Sequence, residues 1–181
     1  MPPFLNHPDL DNMLQSEGYV VLDFFSDDVK LQIPSFLSQW LPEHFDAFHT
    51  SHFLSDKKYK KEVHQAILAL MKEPFSSHIQ TDYFPVFANF MLKKGGCNNP
   101  MPLHADWTYV EEPAHASYAI WIPLVDTHPD NGTLGVIPYS YLLSHTIRGP
   151  RILQWEYPAN ERLIAHSGRL LSLQLGQAVV Y

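Results

Sequence analysis

The chain has 181 residues, 45% of them hydrophobic and 17% charged, a balance that supports a buried core and excludes long disorder. Twelve basic against nineteen acidic side chains give a formal charge of −7, which leaves no electrostatic footprint for DNA, RNA or an anionic membrane; the expected partner is a small molecule or another protein. Cys97 is the single cysteine, so an intramolecular disulfide and a two-cysteine zinc site are both excluded.

No window approaches the roughly 18 consecutive apolar residues of a membrane-spanning helix. The opening MPPFLNHPDLDNML lacks the basic start and apolar run of a secretory signal, and a cytoplasmic location is expected. Asp9 to Glu17 then predicts a short helix, ended by Gly18, because glycine tolerates the positive φ of a helix C-terminus. Tyr19 to Leu22 is β-rich and predicts a strand. Ser26-Asp27-Asp28 supplies an N-cap and two acidic first-turn residues for a helix that Pro34 interrupts or restarts. Ser55 precedes a lysine-rich helix that sets Val63, Ile67, Leu68, Leu70 and Met71 on one apolar face and is expected to end at Pro74.

From about Phe84 the pattern becomes strand-like. Candidate strands are Phe84 to Leu92, bounded by Lys93-Lys94-Gly95-Gly96; Met101 to Tyr109; and Tyr118 to Val125, with Pro123 near its end. Asn131-Gly132 predicts a type I′ hairpin turn, with Thr133 to Ile137 as the returning strand. Leu170 to Leu173 and Ala178 to Tyr181 follow, separated by Leu175-Gly176-Gln177. Helices first and short strands afterwards predict an antiparallel sandwich or barrel with helices outside. It forms a single domain over 1–181, with a helical part at 1–83 and a β core at 84–181. Gln177 to Tyr181 reads as a strand stopped in mid-course, whose apolar edge a natural protein covers; further strands are expected after it.

His104-Ala105-Asp106 is the candidate chemistry. On extended backbone, residues i and i+2 project from one face, so an imidazole and a carboxylate reach the same ion. Two histidines and a carboxylate on one face of the ion make the facial triad of non-haem iron(II) oxygenases, with positions left open for cosubstrate and oxygen. The same spacing recurs in His7-Pro8-Asp9, His44-Phe45-Asp46 and His128-Pro129-Asp130, so context must choose. His7 opens a helix, His44 lies in a loop-like aromatic stretch, and His128 precedes the Asn131-Gly132 turn, where Pro and Asp are ordinary turn formers. Only His104 lies in a β-rich segment.

Residues 102–142, PLHADWTYVEEPAHASYAIWIPLVDTHPDNGTLGVIPYSYL, resemble the core of the phytanoyl-CoA dioxygenase family, whose pattern is HxD, W-x-P-L-x-D, N-G-x-L and I-P-G-S-H. Here these read His104-Ala105-Asp106, Trp121 to Asp126, Asn131 to Leu134 and Ile137 to Tyr141. The opening GYVVLDFFSDDV, residues 18–29, is similar to the family's entry into the fold, and Gly176 to Tyr181 resembles its G-D-x-x-x-F strand.

The resemblance implies a double-stranded β-helix (a cupin-like jelly roll), truncated before its last strands, that binds Fe(II) with 2-oxoglutarate as cosubstrate and hydroxylates a small molecule with O2. It makes His104 and Asp106 metal ligands and catalytic residues, and gives Trp121 a place on the cosubstrate pocket. Asp106 favours hydroxylation over halogenation, since related halogenases lose this carboxylate.

Three departures stand out. Tyr139 and Tyr141 replace the glycine and histidine of I-P-G-S-H, and Ala105 replaces the commoner glutamine. The distal histidine and the arginine that grips 2-oxoglutarate are expected beyond Tyr181. Within the chain, His145 and His166 are the alternatives for the third ligand; His49, His52, His64, His78 and His115 read as surface or packing residues. Glu111, Glu112 and Arg148 read as pocket-mouth residues or as solvated surface. Two other readings remain open: a non-catalytic metal- or ligand-binding jelly roll, and a zinc or manganese cupin-like hydrolase or isomerase.

Overall fold

Helix α1 spans Pro8–Glu17: Pro8 sits in its first turn with φ already helical, Asp9 and Asp11 face the positive end of the helix dipole, and Gly18 ends it at φ 82°. The Gly18 N–H closes the last turn on the Leu14 carbonyl. This computed structural model describes residues 2–96, 101, 103–104, 106, 110–111, 114–143 and 165–181.

Strand β1, Val20–Asp23, follows, and then helices α2, Asp27–Lys30, and α3, Ile33–Trp40. Pro34 restarts the chain as a helix at the first turn of α3, where no N–H is needed.

Helix α4, Lys57–His78, departs from expectation at both ends. Its cap is Asp56 rather than Ser55, with the carboxylate accepting from the N–H groups of Lys58 and Tyr59 at 2.9 and 3.0 Å. Pro74 does not end it. The ring is fully buried, and the helix runs on to His78, so burial of Pro74 and packing of Phe75 on the core offset the one hydrogen bond that proline forfeits.

Strand β2, Phe48–Thr50, was not expected; it pairs antiparallel with β3, Met91–Lys93. The predicted strand from Phe84 to Leu92 therefore shrinks to its last residues. Its partner offers only three residues of ladder, and Phe84, at 76% exposure, lies outside the core despite its apolar neighbours. The predicted strand at Met101 to Tyr109 lies largely outside the described residues, and its described positions are not in strand.

Strands β4, Ile120–Trp121, β5, Leu134–Val136, β6, Arg169–Leu171, and β7, Gln177–Val180, complete the set. The Asn131-Gly132 hairpin does not form. Pro129–Asn131 makes a 3-10 turn instead, with the Asn131 side chain accepting from the His128 N–H at 2.7 Å and donating to the Asp126 carbonyl at 2.8 Å. These local side-chain bonds outcompete the primed turn. Only Gly132 is left-handed, and β5 pairs with β6 rather than returning on β4.

Among the described residues all the pairings are antiparallel, in one three-stranded sheet of order β1-β7-β4 and two two-stranded sheets. β7 is the middle strand, not the raw edge that its sequence suggests. Among the described residues the strands close no barrel, so the jelly-roll expectation is met only as short antiparallel sheets with helices packed on them.

The register divides the larger sheet into two faces. Val20, Leu22, Ala178 and Val180 share one buried cluster with Phe4, Leu5, Phe24 and Leu14 of α1, and Ile120 packs against the same cluster. Each such valine stabilises by about 1.5–3 kcal/mol. With period two, Val21, Val179 and Trp121 share the opposite face. No described helix is long and apolar enough to cross a membrane.

Candidate metal centre

His104 and Asp106 both lie in irregular backbone, yet their side chains converge: Nε2 of His104 stands 3.3 Å from Oδ1 of Asp106. Two atoms at right angles on one ion, each about 2.1 Å from it, are about 3 Å apart, so the pair has the spacing of two adjacent ligands. The donor set is one imidazole nitrogen and one carboxylate oxygen, which suits borderline divalent ions such as iron(II). The side chains are 27% and 43% exposed, enough for access from solvent while one side of the carboxylate is held by protein.

That hold comes from β7. The ladder continues past its end, with Tyr181 and Ala119 exchanging backbone hydrogen bonds at 3.0 and 2.8 Å. Alternation then puts the Tyr181 side chain on the face of Val179 and Trp121, away from the helical core. Its hydroxyl donates to Oδ2 of Asp106 at 2.8 Å. Burial first, then the negative charge of Asp106, push the Tyr181 phenol well above its ordinary range, so it stays a donor. Nothing in the spacing pattern pointed to Tyr181; the hydroxyl in place of the family pattern's phenylalanine was the available signal.

The other HxD pairs lie elsewhere, on a helix start, a loop and a turn. His7 occupies the N-cap position of α1 with Asp9 in the first turn, and His44 and Asp46 are exposed in a loop. Nδ1 of His128 approaches Oδ2 of Asp130 at 3.7 Å, but the side chains are 53% and 95% exposed on the 3-10 turn.

Trp121 is half-buried on the same sheet face as Tyr181, so the strand directs it to the side where the His104–Asp106 pair lies. Glu111 is exposed, its carbonyl accepting from Ala114 and His115 in a local turn. His166 is exposed; His145, Glu112, Arg148 and Ala105 lie outside the described residues. Among the described residues no group of three His, Cys, Asp or Glu side chains comes together, so the pair has no third candidate ligand there.

The departures Tyr139 and Tyr141 have a structural use. Tyr139 keeps a left-handed backbone, φ 61°, where the family pattern has glycine, at a cost of about 1–2 kcal/mol. Its N–H bonds the Glu17 carbonyl at 2.8 Å. Tyr141 donates to the Ser16 carbonyl at 3.3 Å, and its ring covers Gly18 so closely that a Cβ there would lie 2.7 Å from it. Together they dock the turn after β5 on the end of α1. Asp126, from the W-x-P-L-x-D motif, accepts from the Leu175 N–H at 2.8 Å and so ties the segment after β4 to the approach to β7.

Comparison with known families matches the chain, over residues 34–181, to the family model described as phytanoyl-CoA dioxygenase (PhyH). Neither the curated proteins nor the solved structures yield a match.

Proposed function

The chain belongs to the phytanoyl-CoA dioxygenase family, an oxygenase-type family, and from that premise we propose that it is an iron(II)- and 2-oxoglutarate-dependent dioxygenase hydroxylating a small molecule. The observation that carries the reading is the 3.3 Å approach of His104 Nε2 to Asp106 Oδ1. These two side chains would hold the metal, and the third protein ligand would come from outside the described residues. Bound there, iron(II) with 2-oxoglutarate and dioxygen supplies the oxidising power for a C–H bond, with succinate and carbon dioxide as coproducts.

The chain's own part is placement. His104 offers a neutral nitrogen, and Asp106 offers one negative oxygen that offsets half of the ion's charge. Trp121, on the same sheet face, forms a wall of the cosubstrate pocket and helps to keep water from it. The jelly-roll arrangement of residues 84–181 is part of this reading, supported by the family match and the antiparallel pairing.

The test is anaerobic addition of Fe(II) and 2-oxoglutarate to the full chain, followed by oxygen. A visible charge-transfer band and succinate release are expected, and Asp106→Ala and His104→Ala should each lose both. An Asp106→Ala variant that kept the band and the succinate would overturn the assignment.

A further inference from the structure

Asp106 has two carboxylate oxygens and a side-chain torsion with a broad, two-fold preference, so an irregular backbone and a 43% exposed side chain do not by themselves decide which oxygen faces the ion. The two oxygens have different neighbours. Oδ1 lies 3.3 Å from His104 Nε2, and Oδ2 accepts the Tyr181 hydroxyl at 2.8 Å.

The phenol comes from a rigid source. Val179 and Val180, just before it, are fully buried, β7 is paired on both sides, and Tyr181 itself exchanges two backbone hydrogen bonds with Ala119. A hydrogen bond from such a strand gives the carboxylate a fixed partner.

We propose that Tyr181 is a positioning residue for the metal carboxylate: by engaging Oδ2 it leaves Oδ1 as the single ligand atom beside His104. A released carboxylate would be able to rotate and present either oxygen beside His104. The inference rests on the metal-centre reading above and adds a residue 75 positions away in the chain. In place of the phenylalanine of the G-D-x-x-x-F pattern, this chain carries the same ring with one added donor, which matches a role confined to the hydroxyl.

The test is titration of the full chain with Co(II) alone, read by calorimetry and by the visible d–d spectrum, in wild type, Tyr181→Phe, His104→Ala and Asp106→Ala. Tyr181→Phe keeps the ring and removes one oxygen. Loss of such outer contacts typically weakens metal binding about 10–100-fold, and that loss is expected here with a changed d–d spectrum and an unchanged circular dichroism. If His104→Ala and Asp106→Ala abolish binding while Tyr181→Phe binds with the wild-type affinity and spectrum, the Tyr181 inference falls alone. If wild type binds no Co(II), or those two variants bind it like wild type, the metal-centre reading falls and takes the inference with it.

Should Tyr181→Phe fail to fold, proton resonance of the wild-type hydroxyl supplies the second measurement. A slowly exchanging signal that moves on adding Zn(II) supports the proposal, and a signal indifferent to Zn(II) overturns it.

Discussion

The two faces of the β1-β7-β4 sheet are built from alternate residues of the same strands, yet they are held by different physics. On one face Val20, Leu22, Ala178 and Val180 close against the helical layer, and many weak apolar contacts fix the position of each. On the other face lie Val179, Trp121 and Tyr181, and Tyr181 reaches the candidate centre through a phenol–carboxylate bond to Asp106. Stability and ligand holding are therefore separable here: a substitution of Val180 should act on folding, and removal of the Tyr181 hydroxyl on metal binding.

The largest effect should come from Val180→Asp, which places a carboxylate at a fully buried position of the core face. A loss above about 4 kcal/mol is expected in urea denaturation, close to the whole stability of a marginal domain. Cooperative unfolding with a loss below about 1 kcal/mol would break the comparison. Next comes Asp11→Ala. The Asp11 carboxylate is buried and accepts the N–H groups of Phe4 and Leu5 at 2.7 and 2.9 Å, tying the N-terminal segment over α1. Its removal should cost about 1.5–3 kcal/mol by the same measurement, without weakening Co(II) binding.

Asp106→Ala sharpens the contrast. Stability should fall only about 1 kcal/mol, for the stranded Tyr181 hydroxyl, while metal binding is lost.

The smallest effect concerns pH. His49 sits between Phe45 and Phe90 with its Nε2 buried and unbonded, and burial lowers its pKa from 6.5. The unfolded chain then binds the proton more tightly than the folded one. The His49 contribution should be intact above pH 6.5 and fall as pH drops below 6.5 toward the lowered native value. His49→Phe should flatten that part of the stability–pH curve, and an unchanged slope would count against it.

What was legible in the sequence is what local backbone chemistry decides. Gly18 ends a helix because few other residues hold its φ, Pro34 starts one, and Gln177 to Val180 is a strand by its residue types. The HxD spacing was legible too, since it needs only two neighbours in sequence. Illegible were the outcomes set at a distance. Pro74 stays inside α4 because of what buries it, and Phe48 to Thr50 becomes a strand because Met91 to Lys93 meets it. The turn at Asn131 follows its own side-chain bonds rather than the Asn-Gly rule. Tyr181 belongs with these, because the carboxylate it holds is far away in sequence.

The most direct test of the central claim, that His104 and Asp106 share one divalent ion, is anomalous diffraction from crystals of the full chain soaked with Mn(II). The account expects one strong peak about 2.2 Å from His104 Nε2 and from one Asp106 oxygen, with the other oxygen still on the Tyr181 hydroxyl. A peak elsewhere, or none beside this pair at saturating Mn(II), would contradict it.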